Sequence, residues 1–351
     1  MALRKLKDFD FEGKRVLVRC DFNVPIENGK VLDDFRIRNA IPTIHFLKEN
    51  KAKIILISHF GDPEGEIVEE LRLDPVAKHL QELIHQKITK LNEAIGERVE
   101  REVNSLKEGE ILMLENIRFY PGEQKNDPDF AKSLAKLGQI FINEAFSVAH
   151  RPHASVIGLP KYLPSGVGFL FEKEVRVLEN FLKNYKKPLV ALVGGRKVKD
   201  KAPLVEKFSE MGDWVLVNRL IWKEIQEGKV KIKVRKNVLF PIDEKDGGLD
   251  IGPKTIKLFR EKILEAKTIF WNGPFGKIED KRYIEGTKKL AEAILESKAF
   301  SLIGGGETIE LTNQLGITQK FSFASTGGGA LLKFLAGEKL PGLKILGYYG
   351  D

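Results

Sequence analysis

The apolar runs of this chain end in two different chemistries. In the first half they run into charged or polar side chains. RVLVRCDFN ends at Asp21 and Asn23, KIILISHFG at His59, ILMLENIRF at Arg118, and IFINEAFSVAHR at His150 and Arg151. In the second half they run into glycine: PLVALVGGRKVKDK, KTIFWNGPFG, FSLIGGGET and FSFASTGGGA. Open α/β sheets bind ligands at the carboxyl ends of their strands. One half is therefore suited to grip a small anion with side chains. The other is suited to hold phosphates with bare backbone and helix N-termini. Two such halves in one chain point to a transfer between two bound substrates.

Apolar runs alternate with helical spacing along the whole chain. Strands are predicted near 15–19, 53–58, 110–115 and 139–143, with helices near 34–49, 74–86 and 127–137. Asp127-Pro128 is a helix start, a capping residue followed by proline at the first helical position. The second half repeats the scheme. Its strands are expected near 189–193, 214–217, 267–271, 300–303 and 320–324, and its helices near 201–211, 252–265, 281–297 and 327–336. The alternation predicts parallel sheets covered on both faces. Pro164, Ser165, Gly166 and Gly168 break the pattern, and a long helix follows from about Phe171. The fold expected is α/β, with two doubly wound parallel-sheet lobes joined by a hinge helix.

With 351 residues, the chain is long enough for two cores. Its single cysteine, Cys20, excludes an intramolecular disulfide and fits a reducing cytoplasm. The start MALRKLKDFDFEGKR lacks the apolar stretch of a signal peptide. No apolar run approaches the roughly 20 residues that span a bilayer. The net charge of +8 is uneven. Residues 1–175 hold 26 Lys+Arg against 28 Asp+Glu, whereas residues 176–351 hold 32 against 22. A basic second half suits a polyphosphate ligand, as it does a plain solvated lysine surface. The lysines are dispersed along helices rather than clustered with aromatics, which argues against nucleic acid.

The usual nucleotide signatures are missing. There is no G-x-x-x-x-G-K-[ST], and no G-x-G-x-x-G after a strand. STGGGA, from Ser325 to Ala330, follows an apolar strand and opens a helix, so it can receive a phosphate or serve as a tight turn. Four glycine-bearing strand ends in one half favour the phosphate reading. Lys197 and Lys201, four apart, share a face if a helix starts there. They suit a phosphoryl group in transit, or they are surface lysines. Glu307, in GGGET, can hold magnesium or sit in a first helical turn favoured by the dipole. Asp21, Asn23, Arg36, His59, Arg118 and Arg151 recur at or just after predicted strand ends, where Arg forks match carboxylate and phosphate. HRPH, with His150 and His153, lacks nearby cysteines, and zinc is not expected.

In order, the strings RCDFNVP, DDFRIRNAIPTI, SHFGDP, LENIRFYPGEQKND, NEAFSVAHRPHAS, GGRKVKDK, GLDIGP, WNGPFG, GGGET and STGGGALLKFLAG resemble phosphoglycerate kinase over nearly the whole length. The resemblance implies a triose-acid lobe over 1–170 and a nucleotide lobe over 171–336 beginning with the hinge helix. It also implies a last segment, 337–351, that returns to the first lobe. The implied reaction is reversible transfer between 1,3-bisphosphoglycerate and ADP, giving 3-phosphoglycerate and ATP, with magnesium, in a cytoplasmic monomer that binds neither nucleic acid nor membrane. By matching position, Asp21, Asn23, Arg36, His59, Arg118 and Arg151 form the triose-binding set. Arg36 also touches the phosphoryl in flight. Lys197 follows the transferring group, and Lys201 meets the nucleotide phosphates. Gly195, Asn272, Pro274 and Glu279 match nucleotide positions, with Glu279 at the ribose. Gly305, Gly306, Thr308, Thr326, Gly327 and Gly328 match the phosphate cradle, and Glu307 the metal position.

Four places depart from the family pattern. Asp62 stands where the family has arginine, Arg196 where it has alanine, and Glu307 where it has aspartate. Val217-Asn218-Arg219 replaces a glycine-rich segment, and a few tens of residues are missing before VLFPIDEKDGGLDIGP, near the family's adenine pocket. Asp62 and the trimmed lobe keep two other readings open: a non-catalytic relative that binds or regulates, and a kinase for a related phosphorylated carboxylic acid.

Overall fold

A computed structural model describes residues 3–350. Met1 and Ala2 of the N-terminal stretch and Asp351 of the last segment discussed above lie outside the described residues. The chain divides into two compact units. One comprises residues up to Val175 together with those from Lys339 onward, and the other Arg176–Glu338.

The first unit is built on a six-stranded parallel sheet. Its strands are β1 (Arg15–Arg19), β2 (Lys53–Ile57), β3 (Ile88–Lys90), β4 (Ile111–Met113), β5 (Ile140–Asn143) and β6 (Ser165–Val167), in the order β3-β4-β2-β1-β5-β6. Side chains alternate between the two faces of a strand. Val16, Val18, Ile54, Leu56 and Ile142 accordingly enter one core, and Leu17, Ile55, Ile57, Leu112 and Phe141 the other. Both faces are covered, which is why these strands read as continuous apolar runs. The helix Phe35–Glu49 buries Ile37, Ala40, Ile44 and Leu47, its helically spaced stripe. Asp127 caps the helix Pro128–Ala135 as expected, its side chain accepting from the Phe130 N–H at 2.8 Å. Near the C-terminus, Gly342 N–H donates to the Ala149 carbonyl at 2.8 Å.

The helix Phe169–Asn184 carries the chain from one unit into the other, and it starts two residues before the position read from sequence. Ser165-Gly166, read as a break, instead forms edge strand β6 against β5. A Cβ on Gly166 would press on the Phe9 ring at 2.6 Å, so close packing rather than a turn accounts for that glycine.

The second unit holds β7 (Leu189–Val193), β8 (Trp214–Val217), β9 (Val238–Leu239), β10 (Thr268–Asn272), β11 (Phe300–Gly304) and β12 (Phe323–Ser325). Their order is β9-β8-β7-β10-β11-β12, all parallel. The strand order reverses between β7 and β10, the place where such sheets open a crevice. The strand expected from 320 starts at Phe323, because Thr318–Lys320 forms a separate 3-10 turn. Among the elements that escaped the sequence reading are the helices Glu97–Ser105 and Arg219–Gln226 and the strands β3, β6 and β9.

Candidate active site

In the first unit, register sets the site. Arg19 pairs with Ile57 on β2 and Asn143 on β5, so the residues after all three strands gather at one end of the sheet. Asp21 forms an ion pair with Arg36, which lies in the first turn of the helix Phe35–Glu49. The Ser147 hydroxyl donates to the same carboxylate. Burial alone would raise the Asp21 pKa. Arg36, His59, Ser147 and the Asn23 N–H outweigh it and hold the carboxyl well below the usual range. Asn23 accepts from Gly61 N–H at 3.0 Å, which ties the first strand end to the loop after β2.

His59 Nε2 lies 4.0 Å from the Asp21 carboxylate. Its Nδ1 is 3.2 Å from an Arg19 guanidinium nitrogen. Arginine can only donate, so Nδ1 accepts and the proton sits on Nε2. Burial drives the His59 pKa well below its ordinary value; Asp21 opposes this, while Arg19, Arg118 and Arg36 push the same way. His59 is thus a neutral ring that offers one N–H.

Arg19 is the residue that the sequence reading passed over. It is 1% exposed, donates from Nε to Ser155 Oγ at 2.8 Å, and faces the charge of buried Glu123. Ser155 in turn donates to Glu123 at 2.6 Å. The signal was available: an arginine closing a fully apolar strand must be paired or hydrogen-bonded if it is buried.

Arg118 is nearly buried. It donates to the Gly61 carbonyl and leaves its Nε without a partner among the described residues. Arg151 and Arg19 add positive charge beside it. His153 is pushed down to about 4, by burial first and then by Arg118 and Arg151. The six expected residues, Asp21, Asn23, Arg36, His59, Arg118 and Arg151, are therefore brought together, and most of their charge is positive. The Asp62 carboxylate is 64% exposed, 3.8 Å from Arg118 and held by Gln124 Nε2 at 2.6 Å. It screens one guanidinium. If this unit takes the triose acid that the resemblance implies, Asp62→Arg should lower its KM roughly two- to fivefold, the range of an exposed charge pair. Steady-state kinetics on both proteins measures this. An unchanged KM would mean that the side chain acts only on Gln124.

In the second unit, Asn272 stands beside Val193 and Gly304, and Gly304 beside Ser325. The glycine-bearing ends therefore lie side by side. Gly194 N–H donates to the Asn272 carbonyl at 2.8 Å, and Gly195 N–H to that of Pro274 at 2.8 Å. Gly273 has φ +90°, and a Cβ there would collide with the Gly194 carbonyl oxygen. Thr308 accepts from Gly273 N–H at 2.7 Å, and Asn272 donates to the Gly304 carbonyl at 2.6 Å.

Around this row lies a cavity of about 310 Å³, lined by Lys197, Lys201, Asn272, Glu307, Thr308 and Gly328 among others. Gly305 and Gly306 also line it. The helix Val198–Met211 starts three residues before the position predicted, with Lys197 at its N-cap. A second cavity of about 330 Å³ adjoins the first through shared Arg196 and Glu307. Gly195, Pro274 and Glu279 line the second, with Leu220, Leu249 and Phe275 as apolar walls. Thr326 and Gly327, which join β12 to the helix Gly328–Leu335, line neither and are buried. Asn218, in the altered segment, caps the helix Arg219–Gln226 and donates to the Gly195 carbonyl at 3.1 Å.

Lys201 is buried and donates to the Asn272 side-chain oxygen. Burial lowers its pKa to about 8, opposed by Glu307 and Asp200 and assisted by Lys197. An ammonium at this place attracts phosphate and is lost as pH rises through about 8. For the nucleotide that the resemblance implies, the second-order rate constant should therefore fall between pH 7 and 9, and a flat profile would refute a phosphate role for Lys201. Stability should move the other way. Across the interval from about 8 to the ordinary lysine value the unfolded chain binds more protons, so unfolding free energy rises with pH.

Glu307 reaches over the backbone, 3.1 Å from where a Gly195 Cβ would stand. Among the described residues no group of three or more His, Cys, Asp or Glu could hold a metal. One or two carboxylates are what magnesium uses when substrate phosphates complete its shell, and Glu307 and Asp200 in one cavity fit that donor set.

A family model described as phosphoglycerate kinase matches residues 6–222 and 219–338. The chain is 43% identical to the phosphoglycerate kinase of Dictyoglomus turgidum over 386 aligned positions, covering 97% of each chain. It is 40% identical to that of Coprothermobacter proteolyticus, covering 99% of each. Among solved structures, the phosphoglycerate kinase of Pyrococcus horikoshii superposes with a TM-score of 0.87 at 31% identity, covering 99% of both chains. That of Coxiella burnetii gives 0.79 at 31% identity, covering 99% of this chain and 100% of the other.

Proposed function

Because the chain belongs to the phosphoglycerate kinase family, whose members are glycolytic kinases, we propose that it moves a phosphoryl group reversibly between 1,3-bisphosphoglycerate and ADP, giving 3-phosphoglycerate and ATP. The observation that carries this reading is the row of four glycine-bearing strand ends, with Lys197 and Lys201 beside it. The row leads into the helices Gly306–Gln314 and Gly328–Leu335, whose first-turn N–H groups, with the two cations, suit a polyphosphate.

Phosphoryl transfer asks little covalent chemistry of the protein, and catalysis rests on positioning and charge neutralisation. Arg118 and Arg151 hold the phosphate of the triose acid. Asp21, Asn23 and neutral His59 orient its carboxyl and hydroxyl groups. Arg36 meets the acyl oxygen and the phosphoryl in flight. Lys197 follows that group to the nucleotide, whose phosphates lie against Lys201 and Gly328. Glu279 takes the ribose. Glu307 would hold magnesium, which neutralises nucleotide phosphate charge when bound. Acyl phosphates hydrolyse readily, so closure of a triose-acid lobe (1–170 with 337–351) and a nucleotide lobe (171–336) is proposed to exclude water. We expect a cytoplasmic monomer without nucleic-acid or membrane partners. No helix among the described residues is long and apolar enough to cross a membrane.

The test is turnover of 3-phosphoglycerate with magnesium-ATP, coupled to consumption of the acyl phosphate, with GTP beside it and EDTA as control. ATP turnover abolished by EDTA is expected. Folded protein that turns over neither nucleotide would overturn the reading. Equal rates with GTP would point to a base pocket loosened by the altered segment at 217–219.

A further inference from the structure

The two cavities of the second unit divide as a nucleotide does. One is walled by Leu220, Leu249 and Phe275, and the other by lysines and glycines. Arg196 lines both. Its guanidinium is paired with Glu279, which lines only the apolar cavity. The two partners are well exposed, at 60% and 49%, so the pair is weak and screened. It sits where a ribose diol would join a polyphosphate. The carboxylate assigned to the ribose is thus already engaged, and the cation engaging it borders the phosphate cradle.

Building on the nucleotide reading above, we propose that Arg196 is a transferable latch. With no nucleotide bound it holds Glu279. When a nucleoside diphosphate or triphosphate enters, the guanidinium moves onto the phosphate chain and releases Glu279 to the ribose. Arginine suits this exchange, because its fork accepts carboxylate or phosphate with similar geometry. Other charges face the same space. Lys197 and Lys201 also draw phosphate, and Asp200 and Glu307 oppose it, so Arg196 adds to a cradle that works without it. The latch makes the pocket discriminate by charge: a ligand without phosphates must break the ion pair and receives nothing in return.

The experiment measures dissociation constants of ADP and adenosine by calorimetry, for the wild-type chain and for Arg196→Ala and Arg196→Lys. The side chain is largely solvated, so folding should be unaffected, and a thermal melt checks this. Arg196→Ala should weaken ADP roughly three- to tenfold and strengthen adenosine roughly two- to fivefold, the opposite signs being the signature. Arg196→Lys should recover part of the ADP affinity. Unchanged values for both ligands would mean a solvated arginine and overturn the proposal. Tightening of both would make Arg196 only an obstruction, and weakening of both only a structural support; either result overturns the latch. Failure of the wild-type chain to bind ADP would instead overturn the nucleotide reading, and the latch with it.

Discussion

Replacing Lys197 by alanine should lower kcat by about two to three orders of magnitude and leave the thermal melt nearly unchanged. The magnitude is that of deleting one preorganised donor aimed at charge that develops in the transition state. The stability expectation follows from position. Lys197 is exposed at the N-cap of Val198–Met211 and makes no side-chain cap hydrogen bond there. Little of the fold leans on it. Its ammonium borders the cradle cavity with buried Lys201, and the two differ in kind. Lys201 is fixed to Asn272, whereas Lys197 has the freedom to track a moving group. KM for both substrates should change far less than kcat, which is the pattern of an interaction made mainly in the transition state. Stopped-assay kinetics on folded variant protein decides it. A kcat within threefold of wild type would remove Lys197 from the transfer path.

Gly273→Ala should cost about 2–6 kcal/mol of stability and abolish measurable nucleotide binding. Two effects add. At φ +90° any side chain is strained, by about 1–3 kcal/mol. The new methyl also meets the Gly194 carbonyl on the adjacent strand, an overpacking of similar size. Relief requires β7 and β10 to part at their ends, and that separation would pull Gly195 and Thr308 out of the row. Chemical denaturation and ADP titration measure the two losses separately. A variant that binds ADP normally would mean that the row adapts and is no rigid template.

Much of this architecture was legible because parallel sheets write themselves plainly. Strands buried on both faces are apolar throughout, and function gathers after their last residue, so Asp21, His59, Arg118 and the glycine runs could be found by looking just past each run. Elements with little apolar content were hidden. The helix Glu97–Ser105 buries only Val99 and Val103 among charged neighbours. Strand β3 offers three residues, Ile88–Lys90. Strand β6 is disguised by glycines that serve packing. In the site, Arg19 was overlooked because an arginine at the end of a strand looks like the exit to solvent. Only the fold shows that Ser155 and Glu123 close over it. The ion pair between Arg196 and Glu279 joins residues eighty-three positions apart, and no local pattern encodes such a meeting.

Arg19 also sets the two units apart in how they meet a ligand. Its guanidinium enters the core when the chain folds, and with it the orientation of His59 is decided. The buried side chains of this site, Arg19, His59 and Arg118, are thus a cast mould, whose disorder was surrendered at folding rather than at binding. The glycine row has no side chains of its own to set and takes its shape from strand register and from the hydrogen bonds of Asn272 and Thr308. A ligand of the first unit should therefore bind with little loss of side-chain entropy. Removing Arg19 would leave buried Glu123 without its compensating charge, so the fit of the ligand and the stability of the fold would be lost together.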